Sequence, residues 1–481
     1  MHDAISAALQ AATDSGASYA DARVVHTDQE AIEVASGRLE GVQRDESAGI
    51  GVRVLARGAW GFAAVNDTGP DAAAAVARKA VAIAHASARV SGDPIELSPI
   101  EPQVGSWEGA CAVDPFAVPL GEKLSLLLAA EERLRAQKGV RVSKASLGAY
   151  RFHKWFGSTE GSDVEQTWTE TGAGIAATAV DDTDVCTRSY PDSHGGGWEQ
   201  RGWEFVEGLD IVGNAQRVAE EAAALLSAEE CPAGVYDLII GGSQLALQVH
   251  ESVGHPTELD RVLGEEAAFA GTSWVSTDDL GSLRYGSPLM NVTADATVPG
   301  SLGSFGWDDD GVPASRDFIV KEGVLAGFLG SRETAARLGI ASNGTMRADG
   351  WNRIPLIRMT TVSLEPGTWD FDALVADTEH GMLVETNESW SIDDKRLNFQ
   401  FGCEIGWLIE DGVITKMIRK PNYTGITPEF WGSLDAVCSA KHWKVWGIPN
   451  CGKGEPVQVA HVAHGAAPAR FRNVQVGVGR P

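Results

Sequence analysis

The strongest constraint on the fold of this chain is a series of short runs in which apolar and polar residues alternate. Such runs are typical of strands that bury one face. Beyond residue 285 they are separated by turn signals such as Glu322-Gly323 and Asp411-Gly412. The 55 glycines among 481 residues are about 11% of the chain, against roughly 7% on average, which favours many turns and closely spaced strands. We therefore expect a β-rich protein.

The first half combines such strands with helical patterns, in an order that occurs twice. The first set consists of a helix over residues 3–15, strands at Tyr19–Val25, Glu30–Ala35 and Gly49–Leu55, and a helix over 71–88. The second set consists of a helix over 121–137, strands over 141–150 and 163–171, and a long helix over 204–226. Similarity between residues 46–50 and 171–175 suggests an internal duplication, and two unrelated glycine-rich strands explain it equally well.

The domain organisation follows from this order. Residues 1–230 are predicted to form an N-terminal α/β domain, with a proline-rich linker at 91–119 between its two subunits. Cys231-Pro232 marks the boundary, and residues 231–481 are predicted to form a β-rich domain, either a sandwich or barrel-like. The predicted fold class is α+β.

The charge balance excludes some classes of partner. The chain has 39 Lys and Arg against 66 Asp and Glu, a formal net charge of −27, whereas nucleic acids and anionic membranes need a basic face. The six cysteines form no CxxC pair, the N-terminus lacks the basic character of a signal peptide, and no apolar run is long enough to span a bilayer. We expect a soluble cytoplasmic protein that binds neither nucleic acid nor membrane.

The segment most suited to chemistry follows a strand at Tyr236–Ile240. A helix with Ser243 as its predicted N-cap contains the pattern His-Glu-x-x-x-His, in which the histidines are His250 and His255. In a regular helix, at about 100° per residue, positions i and i+5 lie about 140° apart and cannot both face one ion. We expect Gly254 to break the helix in the left-handed conformation, with His255 displaced from the α region because proline follows it.

Two imidazoles brought together in this way would hold a divalent ion, most often zinc. Glu251 would then act as the general base toward a metal-bound water. The alternative is a capped helix end whose histidines and glutamate occur together by chance. A third ligand is missing from the local motif, and the candidates are Cys451, which we expect on a turn, and His461 and His464.

Four segments together resemble the landmarks of the TldD/PmbA family, specifically its TldD branch. They are His250–Glu258 (HESVGHPTE), Gly303–Pro313 (GSFGWDDDGVP), Arg358-Met359-Thr360, and Asn450–Pro456 (NCGKGEP), and they occur in the family's order over essentially the whole chain. The resemblance implies a zinc metallopeptidase with an N-terminal α/β part and a β-rich C-terminal part.

Carried over by position, the resemblance implies that His250, His255 and Cys451 bind zinc and that Glu251 activates water. His461 and His464 are then expected in supporting or structural roles. The resemblance also implies a TldE/PmbA-like partner subunit, with a homodimer as the alternative. An intact His-Glu-x-x-x-His motif implies the active subunit.

The expected substrate is a small or unfolded peptide, cleaved during peptide maturation or protein turnover. Arg358, Met359 and Thr360 open a candidate peptide-binding strand, and an ordinary core strand is the alternative. The acidic run Asp308–Asp310 lacks the distal glutamate of a calcium loop and is predicted to form a tight turn. A non-hydrolytic modulator protein is the competing function, since an older description of the family concerns DNA gyrase.

Overall fold

The N-terminal part alternates between helices and long strands. The computed structural model describes residues 1–90, 92–269 and 271–477. Its first elements are α1 (His2–Asp14), β1 (Tyr19–Ala35), β2 (Arg38–Ala56), β3 (Ala59–Val65), α2 (Pro70–Ser87), β4 (Val104–Glu108), α3 (Leu120–Ala136), β5 (Val140–Ser158), β6 (Asp163–Val180), β7 (Val185–Tyr190), β8 (Gly197–Glu199), α4 (Trp203–Gly208) and α5 (Ile211–Leu225).

One sheet joins these strands, in the order β3-β2-β1-β5-β6-β4, with β7 and β8 also paired to β6. β1 and β5 lie antiparallel at its centre. The apolar faces of α1 and α2 pack on β1 to β3, and those of α3 and α5 pack on β5 and β6. The order helix, three strands, helix thus occurs twice, with β8 and α4 added in the second set. A common origin of the two sets stays a prediction.

Two predictions for this part were wrong in detail, and the predicted linker contains a strand. The strands expected at Tyr19–Val25 and Glu30–Ala35 are one strand, β1, which pairs with β2 and β5 through the polar residues between them. The linker expected at 91–119 contains β4, which pairs in parallel with β6. The helix expected over 204–226 is two helices, because Asp210 takes a left-handed φ of 45° and caps α5 by accepting a hydrogen bond from the Gly213 N–H.

The second half of the chain is rich in short strands, as predicted. Its elements are β9 (Glu229–Glu230), β10 (Gly234–Ile240), α6 (Gly242–Val249), α7 (Leu259–Val262), β11 (Val292–Asp295), β12 (Arg316–Lys321), β13 (Val324–Leu325), α8 (Arg332–Leu338), β14 (Met346–Arg347), β15 (Leu356–Ile357), β16 (Thr361–Leu364), α9 (Phe371–Ala376), β17 (His380–Ile392), β18 (Asn398–Glu410), β19 (Val413–Arg419), β20 (Asn422–Ile426), α10 (Thr427–Gly432), β21 (Leu434–Val437), β22 (Lys444–Lys453), β23 (Gln458–Ala466) and β24 (Ala469–Val476).

Two sheets of this half enclose α6. One sheet is closed, because β17, β10, β24, β20 and β18 pair in that order and β18 also pairs with β17. Of the sandwich and the barrel-like domain that the sequence predicts, this is the barrel-like arrangement. The other has the order β13-β12-β11-β16-β23-β22. α6 contacts β17 of the first sheet and β23 of the second, and its residues from Gln244 to Val249 are buried. The predicted α+β fold class is confirmed.

Six residues lie outside the described ranges: Ser91, where the predicted linker begins, Ala270, and residues 478–481, at the end of the predicted C-terminal domain. Among the helices of the described ranges, none combines the length and the hydropathy needed to cross a bilayer.

The acidic run Asp308–Asp310 is a buried turn that joins the two halves of the chain. Asp309 accepts hydrogen bonds from Lys154 Nζ (2.8 Å) and the Ala348 N–H (2.8 Å), and lies 3.3 Å from Arg23. Asp310 pairs with Arg53 at 2.6 Å. Because protein groups occupy these carboxylates, the run is the tight turn that the sequence predicts.

We predict that Asp309 makes stability depend on pH in the acid range. Burial alone would raise its pKa, but Lys154, Arg23 and the Ala348 N–H outweigh burial and lower the pKa from 3.8 to about 2. A lowered pKa stabilises the fold fully above the unfolded value of 3.8, and this contribution, about 2 kcal/mol, is lost as pH falls toward 2.

The measurement compares thermal midpoints of the wild type and Asp309→Asn between pH 7 and pH 2. At pH 7 the variant should lose about 3 kcal/mol or more, because two buried cations lose their partner. The gap between the two proteins should narrow as pH falls below about 4. A gap that stays constant over this range would contradict the assignment.

Candidate metal centre

One turn of π-helix places both motif histidines on the same face. α6 ends at Val249, and residues His250–Gly254 form a wider turn in which the His255 N–H donates to the carbonyl oxygen of His250. An i to i+5 hydrogen bond stacks residue 255 beside residue 250, as an i to i+4 bond does for residues four apart. The two imidazole rings are 4.7 Å apart.

This geometry corrects three predictions about the helix. Gly254 is right-handed, at φ −59° and ψ −64°, and His255 stays in the α region, at φ −59° and ψ −44°, although Pro256 follows. The N-cap of α6 is Gly241 rather than Ser243. The wider turn brings His250 and His255 to the same face although they are five positions apart, so no left-handed break is needed.

Gly254 is required for space rather than for conformational freedom. A Cβ at this position would lie 2.3 Å from Sδ of Met359. The wider turn also frees carbonyl groups, and the hydroxyl of Thr257 donates to two of them, at 2.8 Å to Val253 and 3.0 Å to Gly254. Packing and hydrogen bonding therefore both stabilise the turn.

The third donor is Cys451, on β22. It lies on a strand rather than the expected turn, directly after an irregularity in the pairing with β23. Its Sγ is 3.4 Å from Nε2 of His250 and 3.9 Å from Nε2 of His255. Around a tetrahedral zinc ion, sulfur and nitrogen ligands are about 3.6 Å apart. All three residues are buried, with donor atoms within 4.8 Å of one another.

Hydrogen bonds fix which ring nitrogen of His250 is free. Nδ1 of His464 lies 2.8 Å from the carbonyl oxygen of Val362, which can only accept, so this nitrogen carries a proton. Nε2 of the same ring is then the acceptor for Nδ1 of His250, at 2.7 Å. Burial lowers the pKa of both histidines, which keeps them neutral. Nε2 of His250 is therefore left with its lone pair toward Cys451.

A buried carboxylate fixes which ring nitrogen of His255 is free. Nδ1 of His255 is 2.9 Å from Oε2 of Glu258, which also lies 3.3 Å from Nζ of Lys453. The carboxylate accepts, so Nδ1 is protonated and Nε2 is free to bind a metal. Burial lowers the pKa of His255 well below its ordinary value.

Arg358 supports the thiol. Burial alone would raise the pKa of Cys451, but the Arg358 guanidinium and the neighbouring His255 hold the pKa below its ordinary value. The guanidinium also donates to the carbonyl oxygens of Cys451 and Gln458. Two imidazoles and a cysteine sulfur whose pKa is lowered form a donor set that suits zinc.

The remaining predicted site residues lie around these donors. Glu251 is buried, with Oε2 2.7 Å from Nη1 of Arg396. Met359 packs on Gly254, and Thr360 is buried. β16, which follows them, pairs with β11 on one side and β23 on the other, so it has no free edge for a peptide. This favours the core-strand alternative.

Two supporting residues were not predicted. Glu258 is three residues after His255, a spacing that puts it on the same helical face, and a buried carboxylate there is a usual partner of a metal-binding histidine. Arg396 is 145 residues from Glu251 in sequence, and no local pattern marks it. His464 lies beside His250 and outside the donor group, and His461 pairs with Glu170 instead.

The fold and this centre together define a class of protein, a mixed α/β protein with a buried His-His-Cys group able to hold a metal ion. Three family models match the chain: PmbA/TldA metallopeptidase domain 1 at residues 20–84, the central domain at 113–228, and the C-terminal domain at 233–478. The chain belongs to the PmbA/TldD metallopeptidase family, which confirms the resemblance in the sequence.

Similar proteins carry related names. A metalloprotease of Methanocaldococcus jannaschii is 28% identical over 444 residues, covering 92% of this chain and 94% of the relative. A zinc metalloprotease TldD homolog of Saccharolobus solfataricus is 23% identical over 246 residues, covering 51% and 52%.

Solved structures show the same fold. A Thermotoga maritima protein, described as a candidate modulator of a DNA gyrase, has a TM-score of 0.78 at 18% identity and covers 99% of this chain and 100% of its own. TldE of Thermococcus kodakarensis has a TM-score of 0.73 at 17% identity, covering 98% and 100%.

We predict that Gly254→Ala weakens the centre through Met359. The new methyl group must displace Met359 or the turn, at a cost of about 1–3 kcal/mol, and should lower both the thermal midpoint and the affinity for zinc. Gly254→Ala combined with Met359→Ala removes the clash and should recover part of the zinc affinity. If the double variant binds zinc no better than the single one, steric contact with Met359 is not the reason for the glycine.

We predict that His464→Ala lowers zinc affinity about 10- to 100-fold, because Nδ1 of His250 loses its acceptor. A competition titration with a chelating dye measures this loss. His461→Ala is the matched control, since it lies on the same strand but contacts Glu170, and its zinc affinity should stay within about two-fold of the wild type. Equal losses in the two variants would argue against a specific role for His464.

Proposed function

We propose that the chain is a zinc-dependent peptidase that hydrolyses small or unfolded peptides, in peptide maturation or protein turnover. The observation that carries this proposal is the buried group of His250, His255 and Cys451, in which the free nitrogen of each imidazole is set by a partner. Membership of a metallopeptidase family and the names of the relatives support it.

In this proposal His250, His255 and Cys451 hold the zinc ion. A zinc ion in such a site would act as a Lewis acid and would lower the pKa of a bound water to about 7. Glu251 accepts the proton of the attacking water and delivers it to the nitrogen of the leaving amine. Its place directly after His250 and its burial at the centre suit this role.

A peptide held by its main chain would be recognised with little sequence preference. Arg358, Met359 and Thr360 stay a prediction for such binding. Because β16, which follows them, has a paired strand on each side, we propose that the peptide pairs with β22 instead. This strand carries Cys451 and ends the order of its sheet, so a peptide beside it would lie next to the donor group.

The proposal also includes a partner, a compartment and a domain division. A TldE/PmbA-like subunit is the proposed partner, supported by the likeness to a TldE structure, with self-association as the alternative. Mass measurement of the purified chain, alone and with such a subunit, decides between them.

The six cysteine thiols are free, as is usual for proteins of the reducing cytoplasm. Limited proteolysis near residue 230 tests the division into residues 1–230 and 231–481.

We predict that Glu251→Gln abolishes peptide hydrolysis while zinc stays bound. Glutamine keeps the shape of the side chain but cannot accept the proton of water. Hydrolysis of an unstructured peptide, followed by mass spectrometry, and zinc content per chain are the two measurements. The wild type should lose activity on chelation and regain it with zinc. An active Glu251→Gln variant would refute the assigned base.

The second candidate function is a non-hydrolytic modulator, favoured by the description of the Thermotoga maritima structure. The net charge of −27 argues against direct contact with DNA. A modulator should bind its protein partner equally well with and without a chelator. Zinc-restored cleavage of a peptide would exclude a purely non-hydrolytic role.

A further inference from the structure

The loop between β17 and β18 carries an arginine against the proposed base. The loop consists of residues 393–397, and Asp393 organises it by accepting hydrogen bonds from the backbone N–H groups of Leu397 (2.8 Å) and Asn398 (3.2 Å). The Arg396 N–H donates to the carbonyl oxygen of Asp393 at 2.9 Å. The loop is therefore a defined turn.

Arg396 has a backbone conformation that a non-glycine residue rarely adopts. Its φ is +62°, in the left-handed region that strains a residue with a Cβ. Two outside contacts hold this backbone in place: Thr427 Oγ1 donates to the carbonyl oxygen of Arg396 at 2.8 Å, and the Trp274 N–H donates to that of Lys395 at 2.9 Å. Strain retained by such contacts is characteristic of functional sites.

The conformation directs the guanidinium to Glu251. The contact between Nη1 of Arg396 and Oε2 of Glu251 is 2.7 Å, and the two side chains are 17% and 7% exposed. Among the described residues, Glu251 is the one side chain that accepts a hydrogen bond from Arg396, and Nε of Arg396 is buried without a partner. The guanidinium of Arg396 therefore has the carboxylate of Glu251 as its hydrogen-bond acceptor.

We propose that Arg396 is a positioning residue that holds the carboxylate of Glu251 in the orientation needed to accept the proton of water. This inference rests on the proposed peptidase function. A glutamate side chain has several rotatable bonds, and a catalytic group misplaced by about 1 Å can lose about 100-fold in rate. The backbone of α6 and its π turn does not determine the orientation of the Glu251 carboxylate. The β17–β18 loop, from a different part of the chain, fixes that orientation through Arg396.

The first test compares Arg396→Ala and Arg396→Lys with the wild type in the peptide assay. Arg396→Ala should lower kcat about 100-fold, with KM and zinc content within about two-fold, because the base is misoriented while the metal ligands are untouched. Arg396→Lys keeps a charge but loses the planar guanidinium, so its kcat should lie between the two. Added guanidinium ion should restore part of the kcat of Arg396→Ala.

A second variant separates positioning from a merely structural role. Arg396→Gly removes the side chain and also relieves the left-handed backbone, since glycine adopts this region freely. Both Arg396→Gly and Arg396→Ala leave the buried Glu251 carboxylate unpaired, but only Arg396→Gly relieves the backbone, so its thermal midpoint in the metal-free protein should be the higher of the two. If Arg396 positions Glu251, kcat falls about equally in both variants. If Arg396 only stabilises the loop, kcat recovers together with the midpoint in Arg396→Gly, and that outcome overturns the proposal.

The control is Lys395→Ala, which changes an exposed side chain in the same loop and should leave kcat unchanged. Unchanged kcat in Arg396→Ala, or loss of zinc from it, would also overturn the positioning role. The wild type, assayed with and without chelator, separates the two proposals. If it cleaves no peptide, the peptidase function fails; if it cleaves peptide and Arg396→Ala does so equally well, only the role of Arg396 fails.

Discussion

The hydrogen bond from the N–H of His255 to the carbonyl oxygen of His250 is the constraint on which the metal centre depends. Because the two histidines are five positions apart in the sequence, a regular α-helix would turn their imidazoles away from each other. The π turn aligns them and keeps every residue in a right-handed conformation. Its wider backbone needs outside support, which comes from the hydroxyl of Thr257 and from Met359 packed on Gly254.

Three of the four reactive side chains at this centre have a partner from a distant part of the sequence, whereas His255 pairs with Glu258, three residues away. His464 holds His250, Arg358 supports Cys451, and Arg396 contacts Glu251. Buried polar groups need such partners, because an unpaired one is costly away from water. β22, β23 and the β17–β18 loop must therefore pack around α6 before the centre exists, so folding of the second half and assembly of the site are one process.

Periodicity predicted much of the fold, and the spacing of residues predicted the donors. α1, α2 and α3 lie within one residue of the predicted bounds at each end, because their apolar faces are regular. The sequence failed where a distant contact decides the local structure. A glycine such as Gly254 is typical of a helix break, yet here it is needed to leave room for Met359. Strand β1 continues through polar residues because strands on both sides pair with it.

The charges around the centre also depend on non-local pairing. Glu251 lies against Arg396, and Glu258 and Asp260 lie against Lys453, so each of these three carboxylates has a cation beside it. Composition alone, with a net charge of −27, leaves open whether the excess acid surrounds the site. Since these carboxylates are paired, the excess lies elsewhere on the chain. Its effect on a charged peptide is then a long-range one that salt screens, rather than a contact at the metal centre.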